Sequence, residues 1–147
     1  MSDLDDLYKE VILDHYRAPR NRGRNDEADV HLHRDNPLCG DEIDLFIDVE
    51  DGKVKKVSFE GKGCSISQAS ISMMTDKLKG LELLEAEKLA GVFKLMMQGE
   101  PPEDIDALGD LAALQGVQKY PVRIKCALLG WDTFLEGAKS YHDKHGD

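Results

Sequence analysis

Ile43-Asp44-Leu45-Phe46-Ile47-Asp48-Val49-Glu50-Asp51-Gly52 is the stretch that decides the fold. Ile43, Leu45, Ile47 and Val49 alternate with Asp44, Phe46, Asp48 and Glu50, the period of two expected of a strand with one buried face. Asp51-Gly52 then offers a two-residue hairpin turn, because both residue types tolerate positive φ. Val57 and Phe59 continue the return strand, and the slip from Val54 to Val57 predicts a bulge. Upstream, His31 and His33 alternate as well and extend the pattern to a third, edge strand. The expectation is a small three-stranded antiparallel sheet.

Helical periods flank it on both sides. Leu4, Leu7, Tyr8, Val11, Ile12 and His15 repeat at three- and four-residue spacing, with Ser2 or Asp3 as the expected N-cap and Pro19 as the stop. Beyond Gly63, the series Ile66, Ala69, Ser70, Met73, Met74 and Leu78 reads as a helix ended by Gly80. Leu84, Leu89, Val92, Phe93, Met96 and Met97 give another, ended near Gly99. Residues 100–104 form a linker, and Leu108, Leu111, Ala112 and Leu114 a short helix before Gly116. A last helix starts at Pro121, with a stripe of Ile124, Leu128, Trp131, Leu135 and Ala138. The class is therefore α+β, with helices packed on one face of the sheet, and residues 1–147 are expected to form a single domain.

Composition narrows the function. The 147 residues carry a formal net charge of -10, which argues against nucleic acid as a partner. No run approaches the roughly 20 apolar residues of a membrane helix, and no secretory signal is visible, so a cytoplasmic protein is expected. Arg17 to Asn25 is the one locally basic stretch and reads as a solvated loop or a docking surface. His142 and His145 fall in a polar tail and are expected in solvent, while His15 packs near the end of the first helix.

Three cysteines remain: Cys39 in Asn36-Pro37-Leu38-Cys39-Gly40-Asp41, Cys64 in Gly61-Lys62-Gly63-Cys64-Ser65, and Cys126 in Tyr120-Pro121-Val122-Arg123-Ile124-Lys125-Cys126. An odd number, widely spaced, points to metal or thiol chemistry and away from a disulfide framework. Cys64 falls at a predicted helix N-terminus and Cys126 a few residues into another, where unsatisfied N–H groups favour thiolate. Cys39 and Asp41, two apart, can present sulfur and carboxylate to one ion, and Gly40 permits the turn between them. Cys39, Asp41, Cys64 and Cys126 thus make a candidate tetrahedral zinc set. The same thiols could instead carry sulfur. No histidine adjoins a cysteine, and no Walker or dinucleotide fingerprint is present.

These phrases, with Phe59-Glu60 ahead of the second, Ser72-Met73-Met74-Thr75 beyond it and Pro19-Arg20-Asn21 at the end of the first helix, resemble the U-type iron–sulfur assembly proteins over essentially the full chain. Within them the chain is similar to the SufU branch. IscU-type scaffolds carry a histidine directly before the last cysteine, where this chain has Lys125, and are shorter between the second and third cysteines. The resemblance implies zinc held by Cys39, Asp41, Cys64 and Cys126. It implies a sulfurtransferase that accepts persulfide sulfur on Cys39 from a PLP-dependent, SufS-type cysteine desulfurase, stimulating its turnover and feeding downstream Suf machinery. In that family the desulfurase offers a histidine to the zinc and frees the cysteine corresponding to Cys39. Arg123 is expected to position a charged partner group, with a surface salt bridge as the plainer role. Two alternatives stand beside this reading: a scaffold on which an iron–sulfur cluster is built and transferred, and a zinc module with a purely structural task.

Overall fold

Asp51 and Gly52 carry φ angles of 53° and 75°, the positive values that a tight turn with the right-handed twist of a hairpin requires. They join β2 (Asp41–Glu50) to β3 (Lys53–Lys62), and β1 (Val30–Asn36) pairs antiparallel on the other side of β2, giving the order β1-β2-β3. In this computed structural model residues 3–37 and 40–145 are described; Ser2, Leu38 and Cys39, and with them the expected Ser2 cap, lie outside the described residues. Asp48 faces Lys56 while Val49 faces Val54, so Lys55 is the extra residue of the anticipated bulge.

Ile43, Leu45 and Ile47 are all buried on the inner face, as the alternation requires. The helices α1 (Asp3–Arg17), α2 (Ser65–Leu78), α3 (Leu83–Met97) and α4 (Pro121–His145) complete the structure, with a 3-10 helix over Ile105–Lys119. α2 and α4 cross closely because Gly130 leaves no room for a side chain: a Cβ there would stand 2.7 Å from Ile71 Cγ1. At this crossing Ser70 Oγ donates to the Ala127 carbonyl at 2.7 Å and accepts from Trp131 Nε1 at 3.1 Å. Phe93 of α3 stacks on Trp131 with ring centroids 4.6 Å apart. Met73, Met74, Met96 and Met97 fill the core around them.

Four helical details differ from expectation. In α3 it is Leu83 that turns inward, with Ala86, Ala90 and Phe93; Leu84 is 73% exposed. In α4 the buried line runs through Cys126, Ala127, Trp131, Phe134 and Ala138, whereas Leu128 and Leu135 are partly covered at its flanks. Two adjacent apolar residues made the stripe ambiguous, and packing chose between them. The expected short helix before Gly116 is the 3-10 segment, broken at Gly109 (φ 57°, ψ -130°). Finally, His142 is not in solvent: its Nε2 lies 3.0 Å from Glu87 Oε2, tying α4 to α3.

The basic stretch after α1 is structured. Gly23 N–H donates to the Phe59 carbonyl and Phe59 N–H to the Asn21 carbonyl, so this segment covers part of the free edge of β3. His15 is buried and links three elements, with Nδ1 2.8 Å from Ser72 Oγ of α2 and Nε2 3.1 Å from Asp110 Oδ2 of the 3-10 helix.

Replacing Ser70 with alanine leaves the Trp131 N–H buried without an acceptor. A loss of about 1–3 kcal/mol in urea unfolding is expected. A variant as stable as the parent would show that the crossing does not depend on this hydroxyl.

Candidate metal centre

β2 begins at Asp41, and its partner in β1 is Asn36, so residues 37–40 form the connection between the strands. Gly40 takes φ 70° there, a left-handed turn that glycine adopts at little cost, and its N–H donates to the Asn36 carbonyl. The turn ends with the Asp41 side chain fully buried. Placing a carboxylate inside a protein costs several kcal/mol unless its oxygens find partners. One does: Asp41 Oδ1 accepts from the Cys64 backbone N–H at 2.9 Å. The other, Asp41 Oδ2, is buried with no hydrogen-bond partner.

Cys64 is the N-cap of α2. Its sulfur accepts from the Ser67 N–H at 3.4 Å, filling the place a serine or aspartate oxygen would take. Gly63 lets Asp41 in, since a Cβ on it would run into Asp41 Oδ1 and stand 2.9 Å from Cγ. Arg22 holds the approach to this glycine, donating to the Gly61 carbonyl at 2.9 Å and to Gln68 Oε1 at 3.4 Å. Cys126, completely buried in α4, donates its thiol to the Val122 carbonyl at 3.7 Å. One ligand atom from each of Asp41, Cys64 and Cys126 lies within 4.8 Å of the others. No other group of three is gathered this closely among the described residues.

Thus three of the four residues singled out as ligands converge from a strand start, a helix cap and a helix interior. The fourth, Cys39, lies outside the described residues. Arg123 stands beside the two sulfurs. Electrostatic attraction to Cys64, a hydrogen bond with it and then attraction to Cys126 raise its guanidinium above the ordinary arginine range. Ser67, Arg22 and Gln68 were not legible as supports. The one available signal was Ser67, three residues beyond a cysteine that could cap a helix.

Two thiols and a carboxylate oxygen that lacks any other partner suit a borderline-soft divalent ion such as zinc. Around the group the surface is open. Tyr120 and Val122 are exposed, and a groove of about 310 Å³ runs between Arg34–Pro37 of the β1 end and Lys125, Leu128 and Asp132 of α4.

Residues 7–127 match the family model of the NifU-like N-terminal domain, and the chain belongs to that family. It is 47% identical over 137 residues to the zinc-dependent sulfurtransferase SufU of Bacillus subtilis (strain 168), covering 92% of each chain. It is 40% identical to the iron–sulfur cluster assembly scaffold protein IscU of Streptococcus pyogenes serotype M1, over 95% of this chain and 87% of the relative. Among solved structures, one from Fervidobacterium islandicum AW-1, described as a candidate iron–sulfur cluster assembly scaffold protein for the SUF system, superposes with a TM-score of 0.83 at 33% identity. It covers 88% of this chain and 94% of its own. A protein described only as hypothetical superposes with a TM-score of 0.86 at 39% identity, over 92% of this chain and 98% of its own.

Gly63→Ala is expected to push Asp41 out of the group and lower the zinc-to-protein ratio measured by atomic emission. Gly116→Ala, where an added Cβ meets nothing within 4 Å, serves as the control and should keep its metal. Equal zinc in both would separate Asp41 from metal binding.

Proposed function

We propose that this member of the NifU-like family is a zinc-dependent sulfurtransferase that takes persulfide sulfur onto Cys39 from a SufS-type, PLP-dependent cysteine desulfurase. Its place is in iron–sulfur cluster assembly in the cytoplasm, ahead of the downstream Suf machinery. The observation that carries the reading is the buried Asp41 carboxylate, one oxygen of it without a hydrogen-bond partner, converging with the sulfurs of Cys64 and Cys126. Similarity to a relative named for that activity supports it.

Cys39, Asp41, Cys64 and Cys126 are the residues that would hold the ion. Cys39 precedes Asp41 by two residues, and two residues of chain span at most roughly 7 Å. When bound, zinc would keep the thiols deprotonated and hold them at one point. The rest falls to the protein. Asp41 fixes the β2 start against the α2 cap through the Cys64 N–H, so the strand begins on a buried post. Arg123 places a positive charge beside the sulfurs and can hold an anionic partner group. The groove beside Pro37 and the exposed Tyr120 and Val122 offer a surface on which a partner's extended loop could lie.

In the transfer step the Cys39 thiolate attacks the outer sulfur of a cysteine persulfide on the partner. A new S–S bond forms at Cys39, the old one breaks, and the partner's cysteine leaves as thiolate. Neither oxidant nor reductant is consumed until a later thiol releases the sulfur. A cluster scaffold would use the same thiols. Against it stands Lys125, a cation that cannot ligate iron while charged, at the position where the IscU type carries histidine.

Zinc-loaded protein mixed with a SufS-type desulfurase, cysteine and reductant should raise sulfide release at least tenfold, and Cys39→Ala should abolish the increase. Arg123→Ala should keep its zinc yet need several-fold more protein for half-maximal stimulation. No stimulation by folded, zinc-replete protein overturns the assignment, and a stable brown chromophore after anaerobic reconstitution favours the scaffold.

A further inference from the structure

The outer face of the sheet carries a second group of ligating side chains, remote in chemistry from the thiol centre. His31 and His33 are two apart in β1 and so project to the same side. Asp44 of β2 lies opposite His33 in the register, and Glu60 of β3 lies opposite Asp44. Both imidazoles turn a ring nitrogen toward one oxygen: His31 Nε2 is 2.9 Å and His33 Nδ1 3.4 Å from Asp44 Oδ1. Burial pushes the Asp44 carboxyl up, but hydrogen bonds from these two histidines together with their charge hold it below the usual carboxylate range.

We propose that His31, His33 and Asp44 form a surface site for a first-row divalent cation that prefers nitrogen and oxygen donors, such as Ni²⁺, with Glu60 as an available further oxygen. With metal–ligand bonds of about 2.0–2.2 Å, neighbouring donors around one ion stand roughly 2.9–3.4 Å apart. The two nitrogen-to-oxygen distances fall in that range. The three donors together are less tightly gathered than the thiol centre. Both imidazoles lie at the surface, 41% and 54% exposed. His31 is steadied from behind, stacked on Phe46 at 4.5 Å. Arg24 also lies on this face, over Phe46 at 5.5 Å, paired with Asp26 and attracted by Asp44 and Glu60. A net charge of -10 adds a general attraction for cations. Imidazole with carboxylate selects Ni²⁺, Cu²⁺, Co²⁺ or Zn²⁺ over Mg²⁺ and Ca²⁺, and the absence of sulfur distinguishes the site from the first.

Ni²⁺ titrated into the full-length, zinc-saturated protein tests this by calorimetry and by paramagnetic broadening of amide signals. One equivalent should bind, with broadening centred on residues 30–34 and 43–46. His33→Ala and Asp44→Asn should each weaken binding at least tenfold, and His145→Ala should leave it unchanged. Both altered side chains sit on the solvent face, so zinc content and the unfolding midpoint should not move. Absence of saturable binding, equal binding by His33→Ala and Asp44→Asn, or broadening centred on Cys64 and Cys126 would each overturn the proposal.

Discussion

The buried carboxylate of Asp41 is the constraint around which the rest of the molecule is arranged. One of its oxygens accepts from the Cys64 N–H, so the first residue of β2 is bolted to the first turn of α2. The other is buried with no hydrogen-bond partner of its own, and the carboxylate stands within 4.8 Å of the two sulfurs. A fully buried carboxylate in that condition is destabilising unless a cation completes it. Of the two glycines nearby, only Gly63 follows from this demand. Gly63 must lack a Cβ for Asp41 to fit, and Gly61 must lack one because its backbone runs against the Glu42 carbonyl. A bound ion would give the unpartnered Asp41 oxygen a partner, and binding free energy of this kind becomes folding free energy.

Positioning such a post requires a rigid frame, and the frame is the β2–β3 hairpin with the α2–α4 crossing behind it. The Asp51-Gly52 turn sets the register, the register sets which residues face inward, and Ile43, Leu45 and Ile47 follow. Cys64 and Cys126 come from α2 and α4, the two helices that Gly130 and the Ser70–Trp131 bond hold close together. The exposed features, by contrast, adjoin the site along the chain: Tyr120, Val122 and Arg123 precede Cys126, and Lys125 lines the groove beside Pro37. A buried, fixed ligand group beside an exposed and partly apolar surface is what a protein needs to hand sulfur to or from a partner.

Much of this was legible from residues alone, for identifiable reasons. Strand alternation at Ile43–Val49, the Asp51-Gly52 turn and the bulge near Val54 are local signals, and local signals survive folding. Convergence of Asp41, Cys64 and Cys126 could be anticipated because three thiols and a carboxylate have few other ways to act together. Choices between neighbouring apolar residues could not be read. Whether Leu83 or Leu84 turns inward, or Phe134 or Leu135, depends on helix rotation that only tertiary contacts decide. His142 was misjudged because its partner, Glu87, lies 55 residues away. The 3-10 geometry of residues 105–119 escaped for a similar reason, since its apolar spacing resembles that of an α-helix and the break at Gly109 is visible only in the backbone.

X-ray absorption at the zinc edge would test the central claim most directly, because it reads the ligand atoms without altering them. Zinc-loaded protein is expected to show a first shell of three sulfurs and one oxygen, with Asp41→Ala losing the oxygen of the carboxylate and Cys39→Ala one sulfur. A shell of nitrogen and oxygen alone, or one unchanged by both substitutions, would contradict a centre built on Asp41 and the cysteines.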